Sequence, residues 1–256
     1  MFRYAIVRRP GNNFSQGLTT VNLGKPDLEA THKQHEAYCL ALEQCGLNLI
    51  HLLPDLDHPD STFVEDTAIL TEHCAILTNP GATSRKGEVS SIHEALIPFF
   101  DNFHSIEAPG TLDGGDICDA GSHFFIGVSE RTNHTGAEQL AGFLAQYDYT
   151  SSIIDIQGID DILHLKSGIS YLGENNMVLI DSLVSHPCFS AYNIIQPDSN
   201  ENYAANCVRV NECVIMAEGF PRLRGKIESS GSRVIPLHMS EYQKMDGGLS
   251  CLSLRF

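Results

Sequence analysis

The chain has 256 residues, 42% of them hydrophobic and 19% charged, the composition of an ordinary globular protein and not of a disordered one. Sixteen basic side chains face 32 acidic ones, a net charge of −16, which argues against nucleic acid or anionic membrane as partners and favours a small cation. Eight cysteines include no Cys-x-x-Cys pair and no apolar run approaches 18 residues, which disfavours a structural zinc site and a membrane span.

Residues 1–7 read as a strand, too short for the apolar core of a signal peptide and followed by Arg8, Arg9 and Pro10. A cytoplasmic protein with reduced thiols is therefore expected. From Pro26 a helical stripe places His35, Tyr38, Leu42 and Cys45 on one face and stops at Gly46. Residues 67–70 and 74–78 form the first of four hairpin patterns, apolar β-branched runs joined by a tight polar turn. A second helical stripe follows through Val89, Ile92, Leu96 and Phe99. The second hairpin, 116–118 with 123–127, leads to a third helix, where Thr135 and Glu138 have capping-box spacing. Its stripe is Ala137, Leu140, Leu144 and Tyr147. Two more hairpins fall at 169–172 with 177–180 and at 207–210 with 213–216. A last strand, 249–254, is placed to pair with residues 3–7.

No linker or low-complexity tract interrupts this series, so residues 1–256 are expected to form one domain. The recurring unit is strand–strand–helix–strand, in about five unequal copies. Such units, unable to bury their own apolar faces, must stack. Spacing alone fits two solutions equally well: an α/β propeller with outer helices, and a doubly wound α/β sheet.

Four segments gather acids, glycines, histidine and cysteine at strand edges: residues 60–67, 112–116, 164–168 and 246–251. Singly, each has an ordinary explanation. Asp-Gly-Gly is a common turn, and a cysteine or histidine among apolar residues is usually core. Together they fit the hydrolysis of a guanidinium. Carboxylates match the flat, forked cation bidentately, and a thiolate can attack its carbon. A histidine can protonate the departing amine and then activate water. Paired glycines would let the backbone approach the substrate closely.

Phe63-Val64-Glu65-Asp66, Leu112-Asp113-Gly114-Gly115-Asp116, His164-Leu165-Lys166-Ser167 and Asp246-Gly247-Gly248-Leu249-Ser250-Cys251 resemble the signature blocks of dimethylarginine dimethylaminohydrolases, in the same order and at similar intervals. Ser84-Arg85-Lys86-Gly87-Glu88, Arg131-Thr132-Asn133 and Ala204-Ala205-Asn206-Cys207 extend the resemblance over essentially the whole chain, with a lean towards bacterial members. The resemblance implies a five-bladed α/β-propeller of ββαβ units, the pentein fold. It implies Cys251 as nucleophile, His164 as general acid and then base, and Asp113 as the group that orients His164. It also implies that Glu65 and Asp66, with Asp60 nearby, bind the guanidinium. Arg85 and Arg131 would grip the α-carboxylate, and Leu18 and Met245 would line the amino-acid end. The implied partner is a small-molecule methylated arginine, handled by a monomer or homodimer without metal or organic cofactor.

One position departs from the pattern. Bacterial relatives and arginine deiminases often carry Glu where this chain has Asp113, and the lost methylene shifts the carboxylate by about 1.5 Å. An arginine deiminase is the nearest rival, but such enzymes usually carry a His just before the nucleophile, where this chain has Leu249 and Ser250. An inert arginine-binding protein on the same fold is the rival from another class, one that would retain the clamp and lose Cys251 or His164.

Overall fold

Five three-stranded sheets, each with a helix on its outside, make up the computed structural model, which describes residues 1–159 and 162–256. The first blade contains β1 (Tyr4–Arg8), α1 (Leu28–Gln44) and β2 (Asn48–Leu52). The second contains β3 (Ala68–Leu70), β4 (Ala75–Leu77), α2 (Val89–Leu96) and β5 (Phe103–Ser105). The third contains β6 (Ile117–Asp119), β7 (His123–Val128), α3 (His134–Ala145) and β8 (Thr150–Asp155). The fourth contains β9 (Ile169–Gly173), β10 (Asn176–Leu179), a single-turn α4 (Asp181–Val184) and β11 (Asn193–Ile195). The fifth contains β12 (Val208–Val210), β13 (Cys213–Ala217), α5 (Pro221–Ser229) and β14 (Arg233–Leu237).

In blades two to five the first two strands are antiparallel and the helix returns the chain to a third strand parallel to the second. The first blade takes its missing strand from the other end of the chain. There β15 (Leu254–Arg255) pairs antiparallel with β1, Ala5 opposite Arg255 and Ile6 opposite Leu254. The ring is closed by its own termini, and the propeller prevails over the doubly wound sheet because no two blades share a sheet. Helices α1 and α5 contact the third strand of their own blade and that of the preceding one. Each therefore seals a seam between sheets that could not bury their faces alone.

Local sequence explains the helices. Asp27 caps α1 by accepting the Ala30 N–H at 2.7 Å, a cap that contributes about 1 kcal/mol. Gly46, at φ +89°, takes the left-handed turn that ends it. At α3 the cap is Asn133, whose side chain accepts from Gly136 N at 2.8 Å, and not Thr135. Asn133 lies two residues earlier and its backbone is extended, so it takes the orphan N–H before Thr135 is reached. Ala137, Leu140 and Leu144 are fully buried as their spacing predicts, and each leucine contributes about 1.5–3 kcal/mol by leaving water.

The C-terminal segment differs from its prediction. Ser250–Leu252 forms a short 3-10 turn, and only Leu254–Arg255 is strand. All eight cysteines are free thiols. Among the described residues, no helix is long and apolar enough to cross a membrane.

Candidate active site

The same device precedes the innermost strand of every blade. Short 3-10 turns at Val64–Thr67, Gly114–Asp116, Leu165–Ser167, Ser199–Ala205 and Ser250–Leu252 lead towards β3, β6, β9, β12 and β15. A turn at one register position in each blade brings five distant stretches of chain to one end of the ring. Four of them are the segments singled out by their chemistry. The fifth, ending at Asn206, has its one acid, Glu201, bonded to the Arg222 and Leu223 N–H groups, and was legible only as part of a family block.

The glycines allow these turns to touch. A Cβ on Gly114 would strike the Glu65 carbonyl, and one on Gly247 would strike the Phe63 ring. A Cβ on Gly115 would lie 3.0 Å from Asp66 Oδ1. These glycines admit neighbouring turns of the protein itself, and Gly247 also lines the cavity where the turns meet.

A cavity of about 140 Å³ opens where the turns meet. Asp66, Asp113, His164 and Cys251 line it, and so do Leu18, Asp60, Arg85, Arg131 and Met245. Its rim is held from two sides. Asp60 accepts the Leu18 N–H at 3.0 and 3.2 Å, while Asp246 accepts that of Thr20 at 2.5 Å.

Glu65 is absent from the lining. One carboxylate oxygen takes Lys166 Nζ at 2.5 Å and the other takes the Ser250 hydroxyl at 2.8 Å, while Arg255 stands 3.8 Å away. With its oxygens taken, the Glu65 side chain belongs to the support behind Cys251.

Burial alone would push the Asp66 carboxyl up, yet Arg85, His164 and the Gly115 N–H at 2.7 Å hold it below its ordinary range. Arg85 is buried and nearly saturated. Its Nε and Nη2 bind Glu88, Nη2 also reaches the Phe63 carbonyl at 2.9 Å, and Nη1 pairs with Asp66. Of its five N–H groups, one on Nη1 remains for a ligand. The half-buried Arg131 guanidinium has no hydrogen-bond or ion-pair partner among the described residues.

His164 Nε2 lies 3.2 Å from Asp113 Oδ2, and Asp113 Oδ1 is fixed by the Gly81 N–H at 2.9 Å. Burial opposes charge on the imidazole, but Asp116, Asp66 and Asp113 outweigh it and raise its pKa to about 9. Asp116 had no role predicted from sequence beyond its place in the turn. It is fully buried, accepts from Ser129, Thr132 and Leu165 N, and is pushed to about 6 by burial. The Cys251 thiol is pushed to about 12, by burial first and then by Glu65 and Asp66, with the Gly248 N–H and Lys166 working against the rise. The resting pair is therefore a neutral thiol and an imidazolium. Ligand atoms of Asp66, Asp113 and His164 lie within 4.8 Å of one another, close enough to share a metal ion or to face one flat cation.

The arginine deiminase family model matches residues 51–214. A dimethylarginine dimethylaminohydrolase from Pseudomonas aeruginosa is 46% identical over the full length of both chains. One from Streptomyces coelicolor is 30% identical over 98% of this chain and 96% of its own. A cysteine-to-serine variant of the Pseudomonas enzyme, solved with citrulline, superposes over all of both chains with a TM-score of 0.97. The N-terminal domain of ArgZ, a cyanobacterial arginine dihydrolase, shares the fold at 16% identity and a TM-score of 0.86, covering all of this chain and 98% of its own. The fold and these matches define a guanidine-modifying pentein. Within that class, the chain belongs to the dimethylarginine dimethylaminohydrolase family.

Proposed function

We propose that the protein hydrolyses Nω-methylated L-arginines to L-citrulline and dimethylamine or methylamine through a covalent intermediate on Cys251. The observation that carries this reading is a single small cavity in which a thiol, an imidazolium and two carboxylates face one another.

The substrate guanidinium sits against Asp66 and Asp113, and its α-carboxylate pairs with Arg131 and the remaining N–H of Arg85. Leu18 and Met245 line the amino-acid end, with Asp60 holding Leu18 in place. The bound cation opposes the negative field that keeps the thiol protonated, so when substrate is present the thiol gives its proton to solvent and the thiolate forms. Cys251 adds to the central carbon, and His164 gives its proton to the amine nitrogen as the C–N bond breaks. The product is an S-alkylthiouronium cation. His164, now neutral, takes a proton from water, whose oxygen adds to the same carbon. The adduct's hydroxyl proton passes to the departing thiolate as citrulline forms, which restores the thiol and the imidazolium. A nucleophile with its base and an orienting carboxylate is the general logic of such sites. At Asp113 the short side chain still reaches the ring, which supports the orienting role for Asp in place of Glu.

The protein is further taken to act as one domain, as a monomer or homodimer, in the cytoplasm and without a cofactor. The test is citrulline release from each methylarginine and from arginine. Cys251→Ser should abolish turnover and retain binding, and substantial residual turnover would refute the assignment.

A further inference from the structure

Two short turns carry the chemistry, one holding His164 and the other Cys251, and they come from different blades. Neither turn bonds the other directly among the described residues; a third blade joins them. Asn206 ends the Ser199–Ala205 turn and is buried. Its Oδ1 accepts the Ser250 N–H at 3.0 Å, one residue before the thiol. Its Nδ2 donates to the Lys166 carbonyl at 3.0 Å, two residues after the imidazole, and to Ser250 Oγ at 3.1 Å.

We propose that Asn206 is a positioning residue that fixes the nucleophile turn against the acid–base turn. The inference rests on the roles given above to Cys251 and His164. The carboxamide is the one side chain with both an acceptor and donors that the two turns require at once. Gly248 is shaped to receive it, since a Cβ there would overlap the Asn206 carboxamide. The clamp is closed on its far side by the Ser250 hydroxyl on Glu65 and by Lys166 on Glu65. From the same turn, Tyr203 OH donates to the Gly247 carbonyl at 2.9 Å, a second tie to the nucleophile segment. Asn206, Ser250 and Lys166 do not line the cavity, so Asn206 acts through geometry and not by touching substrate.

Asn206→Ala removes both contacts, and Asn206→Asp retains the volume and the acceptor without the donors. Each should lower kcat by about 10–100-fold while KM stays within about threefold, because misplacement weakens the transition state and not ground-state binding. Acid-quenched mass spectrometry should show the Cys251 adduct forming correspondingly slowly. Gly248→Ala should cause a similar loss in the native background and little further loss in Asn206→Ala, where room for the methyl exists. A purely structural Asn206 would lower Tm and leave kcat per folded molecule unchanged, and that result overturns the proposal. A rise in KM at constant kcat, or additive losses with Gly248→Ala, overturns it equally. Should Asn206→Ala fail to fold, the isosteric Asn206→Asp decides. Cys251→Ala is assayed alongside: turnover there refutes the proposed chemistry itself, whereas a dead Cys251→Ala beside a fully active Asn206→Ala refutes only the clamp.

Discussion

Gly115 lies flat against the imidazole of His164, so close that a Cβ at position 115 would sit 2.9 Å from ring Cγ and 3.0 Å from Nδ1. The same glycine gives its N–H to Asp66. The imidazole and the carboxylate proposed to serve as base and guanidinium ligand are thus both set by one residue without a side chain. Gly115→Ala must displace the ring or the carboxylate, and misplacement of about 1 Å costs roughly 100-fold in rate. A loss of about that size in kcat is expected, and steady-state kinetics on the folded variant will measure it. Retention of kcat would show that the contact is slack.

The two arginines should separate by what each already holds. The Arg131 guanidinium is unengaged among the described residues, so Arg131→Ala should raise KM by about 10-fold or more and leave stability nearly unchanged. Arg85 holds Asp66 and Glu88. Its removal strands two buried carboxylates, a class of change that costs about 3–5 kcal/mol. Arg85→Ala should therefore lower Tm sharply, and denaturant unfolding beside the Arg131→Ala protein checks the contrast. Equal stability of the two variants would contradict the saturation of Arg85.

Much of this was legible in the sequence because the unit repeats. The hairpin pairs at 68–77, 117–128, 169–179 and 208–217 are where alternation and turn residues put them. Three blade helices showed their stripes. The fourth did not, because α4 is four residues long, too short for any period. The fifth was hidden because α5 buries only Leu223 and Ile227 under a charged exterior. Cys251 was legible as a residue and illegible as a conformation. An apolar run with serines reads as a strand, but the Asn206 clamp on Ser250 holds a 3-10 turn there. Glu65 and Asp66 differ in a way that was hidden for a related reason. Adjacent acids look alike in sequence, and only the Lys166 and Ser250 partners turn one of them away from the cavity.

The resting protonation states give a pH signature. With its thiol pushed to about 12, Cys251 in the free protein should show no thiolate absorbance near 240 nm at pH 7. Adding a cationic amidine that fills the cavity should make it appear, and Cys251→Ser should lack it. His164, raised to about 9, should remain a competent acid through neutral pH, with kcat/KM falling above about pH 9. A thiolate signal in the ligand-free protein at pH 7, lost in Cys251→Ser, would contradict the account of activation by substrate.

His35 should make the fold sensitive to mild acid. The ring lies on the buried face of α1, 3% exposed, with Nδ1 3.6 Å from Cys39 Sγ and Nε2 without a partner among the described residues. Burial lowers its pKa to about 4, helped by His51, His32 and Arg9 and opposed by the nearby Arg8 backbone. Below pH 6.5 the unfolded chain binds a proton that the folded chain refuses until about pH 4. Stability from this group is therefore complete above 6.5 and is lost as pH falls through that window. The shift corresponds to about 3 kcal/mol at full extent. Urea unfolding of the wild type and of His35→Leu, at pH 7.5 and pH 4.5, isolates the contribution from that of the titrating carboxylates. The wild type should lose more stability on acidification than the variant, by about 2–3 kcal/mol. Identical losses would mean that the ring is reached by water or bonded in a way that lets it ionise without strain.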